Sequence, residues 1–205
     1  MRGMRLMLIL SFFLCQTAHA FTELSFEFSY DKQVYGSQKQ NKQTSRDYFV
    51  SMAFYLFEYT AIEVNASQGE EETLENNVIP VSGTNVSITS LSTRVRSQTW
   101  GLGIRQSFAK RGSFLRQMLS LGYANQSIRD QTTFTFKDNS SGVVQSFKDP
   151  ENKERSDSVF ASFALQLQLT QLLSLKGSVQ SVFPAFEVDR ISDDLKYTAG
   201  FSWIF

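Results

Sequence analysis

The stretch DSVFASFALQLQLT, Asp157 to Thr170, decides the fold class. Val159, Ala161, Phe163, Leu165, Leu167 and Leu169 take every second position, and Ser158, Ser162, Ala164, Gln166 and Gln168 fill most places between them. Successive strand residues point to opposite faces, so the period of two predicts a strand with one greasy side and one polar side.

The same period extends outward in both directions. A tight turn near Gln171 leads to a seventh strand, about Leu173 to Phe183. After a loop from Pro184 to Asp194, an eighth runs from Leu195 to Phe205. Upstream, the long polar stretch Ile128 to Ser156 reads as a protruding hairpin around Asp138 to Gly142. It is preceded by a fifth strand (Phe114 to Ser127), a short turn containing Gly112, and a fourth strand (Arg94 to Phe108). The first three strands are expected at Thr22 to Tyr30, Asp47 to Phe57 and Thr60 to Ser67. A polar loop, Asp31 to Arg46, separates the first two, and Ser82-Gly83 marks a second hairpin tip. Pro80, Pro150 and Pro184 all fall in expected loops, since a central strand forbids them. Connections therefore alternate long and short, as in up-and-down membrane barrels with long loops outside and short turns on the periplasmic side.

Residues 1–20 read as a cleaved signal peptide and 21–205 as one barrel domain. Arg2 and Arg5 form the charged start, Leu6 to Cys15 the apolar run, and Ala18-His19-Ala20 the small-residue cleavage site after Ala20. Cleavage removes the only Cys (Cys15) and the only His (His19), so no disulfide, Cys nucleophile or His-ligated metal is expected in the mature chain. It also leaves 18 Lys+Arg against 20 Asp+Glu, a net charge of about −2, which gives no basis for nucleic-acid binding.

The last strand carries a resemblance. Tyr197, Phe201, Trp203 and the terminal Phe205 stand at alternating positions and look like the C-terminal strand signal of bacterial outer-membrane proteins. With the signal peptide and the eight-strand layout, the chain resembles small barrels of the OmpA, OmpX and OmpW type. The resemblance implies a closed, antiparallel, all-β transmembrane barrel in the outer membrane of a Gram-negative bacterium. It also implies that the assembly machinery reads the last strand.

The period alone does not say which face is inside. The apolar faces are too bulky for a narrow interior, whereas the opposite faces are rich in Gly, Ala and Ser. Tyr30, Tyr48, Trp100, Tyr123, Phe183, Trp203 and Phe205 fall near strand ends, where interfacial girdles belong. The apolar face is therefore expected to meet lipid. Glu23, Glu27, Asp47, Glu63, Arg105, Arg116, Lys176 and Lys196 then point into the lumen, four acids against four bases. Near-balance predicts paired ions, with Glu23, Glu63, Arg105, Arg116 and Lys176 clustered toward the periplasmic end and no open pore. Phe160, Val182 and Ile204 interrupt the polar face and hint at an apolar cavity.

These readings favour a monomeric, non-enzymatic barrel without metal or cofactor, in contact with membrane lipid, whose loops offer a surface to an extracellular partner. A narrow channel for small hydrophobic solutes is the alternative. A lipid-modifying enzyme fits less well, because a Ser-His site would need His19.

Overall fold

A computed structural model describes residues 21–36, 38–184 and 195–205. Eight antiparallel strands form the barrel wall: β1 (Phe21–Tyr35), β2 (Asn41–Tyr55), β3 (Thr60–Glu75), β5 (Val86–Ser107), β6 (Leu115–Asp138), β8 (Asn152–Gln168), β9 (Leu173–Pro184) and β10 (Lys196–Ile204). Each pairs with its neighbour along the chain, and β1 pairs with β10 from Glu23↔Ile204 to Phe28↔Ala199, which closes the ring. Two short strands, β4 (Ile79–Pro80) and β7 (Val144–Lys148), flank the upper part of the β5–β6 hairpin.

Side-chain chemistry selects the faces. Phe26, Val50, Phe54, Ile62, Leu102, Leu121, Phe163 and Phe201 lie on the outside and are 41–58% exposed. Glu23, Arg105 and Gln166 lie inside and are 0–2% exposed. A water-soluble protein does the reverse, since a continuous apolar surface of this size in water is strongly unfavourable. The barrel is therefore a transmembrane one, with its backbone polar groups paired around the ring. No helix among the described residues is long and apolar enough to cross a membrane, and the crossing is made by strands.

The strands run further than the periodicity indicated. The segment expected as a loop at 31–46 is ladder from Asp31↔Ser45 to Tyr35↔Asn41, so the connection is confined to residues 36–40. Likewise β3 continues to Glu75, β5 begins at Val86 and β6 continues to Asp138. Above the membrane both faces are wet, so greasy alternation disappears while backbone pairing continues. Hydropathy therefore marks the membrane span and not the hydrogen-bonded strand. At 22 and 24 residues, β5 and β6 exceed a span of ~10 residues by roughly 40 Å along the strand.

Two prolines correct the expectation that all three lie in loops. Pro80 lies in β4, the outermost strand of its sheet, and Pro184 is the last residue of β9. Both positions are strand ends or edges, where a missing N–H costs little. Phe183 corrects the girdle reading, since it is buried, while Tyr30, Tyr48, Trp100, Tyr123, Trp203 and Phe205 are exposed. Glycine is required at the turns that hold Gly112 (φ +87°) and Gly142 (φ +71°).

Candidate functional site: a stacked polar lumen beneath an open mouth

The lumen fills in layers. At the periplasmic base, the Phe21 and Tyr55 rings stack with centroids 4.1 Å apart, beside Ala53, Ala61 and Ile204. The Arg111 guanidinium, from the β5–β6 turn, lies 4.6 Å from the Phe21 ring centre.

Directly above sits the first ionic layer. Arg105 donates from Nε to Glu63 Oε2 (2.9 Å), from Nη1 to Glu23 Oε1 (3.1 Å) and from Nη2 to Ser51 Oγ (3.0 Å). Arg116 donates to Glu23 Oε2 (3.1 Å) and to the Tyr55 hydroxyl (2.7 Å). Ser120 donates to Glu63 Oε2 (2.5 Å). Two acids and two bases balance, and none exceeds 4% exposure. The register explains how they meet. Ala53 lies between Glu23 and Glu63 in one row, and its small side chain leaves the space that the Arg105 guanidinium occupies.

The second ionic layer departs from the sequence expectation. Lys176 bonds to Glu27 Oε1 (2.8 Å), and not to Glu23 or Glu63. In the row Glu27↔Gly200↔Lys176 the intervening residue has no side chain, so the ammonium reaches across to the acid. Ser178 and Thr198 also donate to Glu27. Over these layers, the Phe160 ring covers Gly103 and Gly122, paired glycines whose missing Cβ atoms leave room for it. Phe160 thus fills space, and Ile204 belongs to the basal core, so neither lines the apolar cavity their positions suggested. Only about 20 Å³ remains beside Phe160 and Phe49.

The mouth above is open, with a lining that mixes polar and apolar side chains. A cavity of about 380 Å³ is lined by Ser45, Asp47, Glu71, Gln126, Glu154 and Lys196, among others, with Val182 on its wall. Lys196 Nζ meets Asp47 Oδ1 at 2.5 Å over the inner face of β1, the strand between β10 and β2. Among the described residues no three His, Cys, Asp or Glu side chains group to hold a metal ion.

Of the terminal-strand residues, Tyr197, Phe201, Trp203 and Phe205 are 67, 45, 41 and 70% exposed on the outer face. Ala18 and Ala20, with the whole expected signal peptide, lie outside the described residues. Sequence reasoning did not single out Tyr55, Ser51 or Ser120. Their signal was inward parity close to a charged residue, which becomes informative only once the register is known.

No protein-family profile matches the chain, and no curated protein matches it in sequence. Solved structures do match in shape. The N-terminal β-barrel domain of OprF from Pseudomonas aeruginosa superposes with a TM-score of 0.51 at 14% identity, covering 91% of this chain and 97% of that one. Ail, the attachment invasion locus protein of Yersinia pestis, gives 0.48 at 10% identity over 92% and 100%. A major outer membrane protein from Thermus thermophilus gives 0.47 at 13% over 91% and 100%. At these identities the OprF likeness is one of fold: a small, closed, eight-stranded membrane barrel.

Proposed function

We propose that this chain is a monomeric integral protein of a bacterial outer membrane, without catalytic activity, that anchors extended loops outside the cell while its lumen stays shut. The ionic layer of Glu23, Glu63, Arg105 and Arg116 carries this reading. It joins β1, β3, β5 and β6 across the buried interior, and opening it would strand buried charges. Against an enzymatic role stands the chemistry: the described residues hold neither histidine nor cysteine.

The contact surface is the β5–β6 hairpin with β7 beside it. Val143, Val144 and Phe147 are 52–58% exposed there, and a partner is read as docking on this tip. The C-terminal strand, ending in Trp203 and Phe205, is read as the signal that delivers the chain to barrel assembly. The mouth cavity favours a second reading, entry of a small solute as far as Phe49 and Phe160.

Planar-bilayer recording with refolded protein separates the two. A shut barrel gives a flat baseline, whereas steady unitary currents from the unmodified chain would contradict the closed lumen. Fractionation of expressing cells should place the chain with outer-membrane markers, and recovery in the soluble fraction would contradict the location.

A further inference from the structure

We infer that the outer face of β5, β6 and β8, just above the aromatic girdle, binds the phosphate of an outer-leaflet lipid headgroup through Arg96, Arg129 and Arg155. This rests on the outer-membrane reading and adds a ligand class to it.

The register places the charges. Arg46, Glu70, Arg96, Arg129 and Lys153 stand side by side in one row across five strands, four cations and one acid. One step nearer the membrane, Gln68, Gln98, Ser127 and Arg155 form the next outward row. One further step down lie Trp100, Asn125 and Asp157, with the Trp100 ring 67% exposed. Trp100 marks the interface, so the cationic row sits four residues beyond it, about 10 Å higher for a strand tilted ~45°. That is headgroup height, and arginine stems reach down from it.

The site has a shape as well as a charge. A groove of about 220 Å³ here is lined by Gln68, Glu70, Arg96, Ser97, Gln98, Ser127 and Arg129, one carboxylate against two guanidinium groups. Ser127 Oγ is buried within it and has no hydrogen-bond partner among the described residues. The arginines are only loosely engaged. Arg96 lies 3.6 Å from Glu70, Arg129 lies 3.8 Å from Glu151, and all four side chains are 43–55% exposed. Arg94 is held closer, at 3.3 Å from Glu70 and 3.8 Å from Glu72. Among the described residues, Lys153 and Arg155 form no ion pair, and Asp157 is engaged by Tyr123 and Asn125. Exposed pairs at such distances contribute little, so a phosphate oxygen accepting from two guanidinium forks and Ser127 displaces them at small cost.

The test uses the whole refolded barrel in nanodiscs of neutral lipid doped with lipid A, either phosphorylated or enzymatically dephosphorylated. Native mass spectrometry counts the glycolipid retained after mild detergent extraction. The unmodified protein should retain the phosphorylated form about tenfold more strongly, and Arg96→Gln/Arg129→Gln/Arg155→Gln should lose that preference. Millimolar inorganic phosphate should not displace the lipid. Equal retention of the two forms, retention unchanged in the triple variant, or displacement by free phosphate would each overturn the inference. The heat-shifted gel band of the same samples keeps the failures distinct. A shifted band without phosphate preference sinks this inference alone, whereas absence of the shift sinks the barrel reading beneath it.

Discussion

At the scale of single residues, the lumen is organised by what the glycines and alanines omit. A Cβ built on Gly200 would collide with the Phe26 carbonyl oxygen and the Glu27 backbone, whereas one on Gly177 meets nothing nearer than 3.9 Å. Gly200→Ala is therefore expected to cost about 1–3 kcal/mol and to weaken barrel closure, while Gly177→Ala is nearly neutral. Urea unfolding in lipid vesicles would measure both, and equal effects would contradict the packing described. Arg105→Met leaves Glu23 and Glu63 buried without their shared cation, at an expected cost of about 3–5 kcal/mol by the same assay. Parity made the inward direction of all eight charges legible in the sequence. It did not reveal partners, because Lys176 reaches Glu27 only through a register in which Gly200 stands between them.

At the scale of elements, the strands combine two chemistries along their length. Within the membrane the outer face must be apolar, so Leu121→Arg at mid-strand is expected to destabilise by about 2–4 kcal/mol, read from the same unfolding curves. The same change in the wet part of β6, at Gln131, should cost little. The β6–β7 tip is ordered by Asp138, whose carboxylate accepts from the backbone N–H groups of Ser140 (2.8 Å) and Ser141 (3.3 Å). Those hydrogen bonds hold its pKa below the usual carboxylate range. A depressed pKa means that the contribution is complete above the unfolded value of about 3.9 and is lost as pH falls through the lower folded value. The protection factors of the Ser140 and Ser141 amides, each rate compared with the intrinsic rate at the same pH, should thus stay constant from neutral pH down to that range and then fall, and Asp138→Asn should remove the transition. The strand ends escape a hydropathy reading for a physical reason. Asp31 to Tyr35 and Asn41 to Arg46 pair fully, yet neither segment has a greasy face to announce it.

At the scale of the whole molecule, the barrel is an inside-out protein: a lumen of matched ions, serines and glycines, and an exterior of Phe, Leu, Val and Ile. The fold class, strand count and faces were readable because the membrane imposes one strict rule, alternation, on every crossing strand. The roles of loops and mouth were not, because solvated segments obey no comparable rule. With Cys15, the sequence's one cysteine, replaced by serine, single cysteines carrying a nitroxide can be placed without background along β6. The most direct measurement is spin-label accessibility to oxygen against a water-soluble nickel complex, residue by residue from Leu115 to Tyr123, in lipid vesicles. Oxygen access should peak at Leu115, Leu119, Leu121 and Tyr123 and fall at Arg116, Met118 and Ser120. The opposite alternation, or uniformly high nickel access at the apolar positions, would contradict the assignment of the apolar face to lipid.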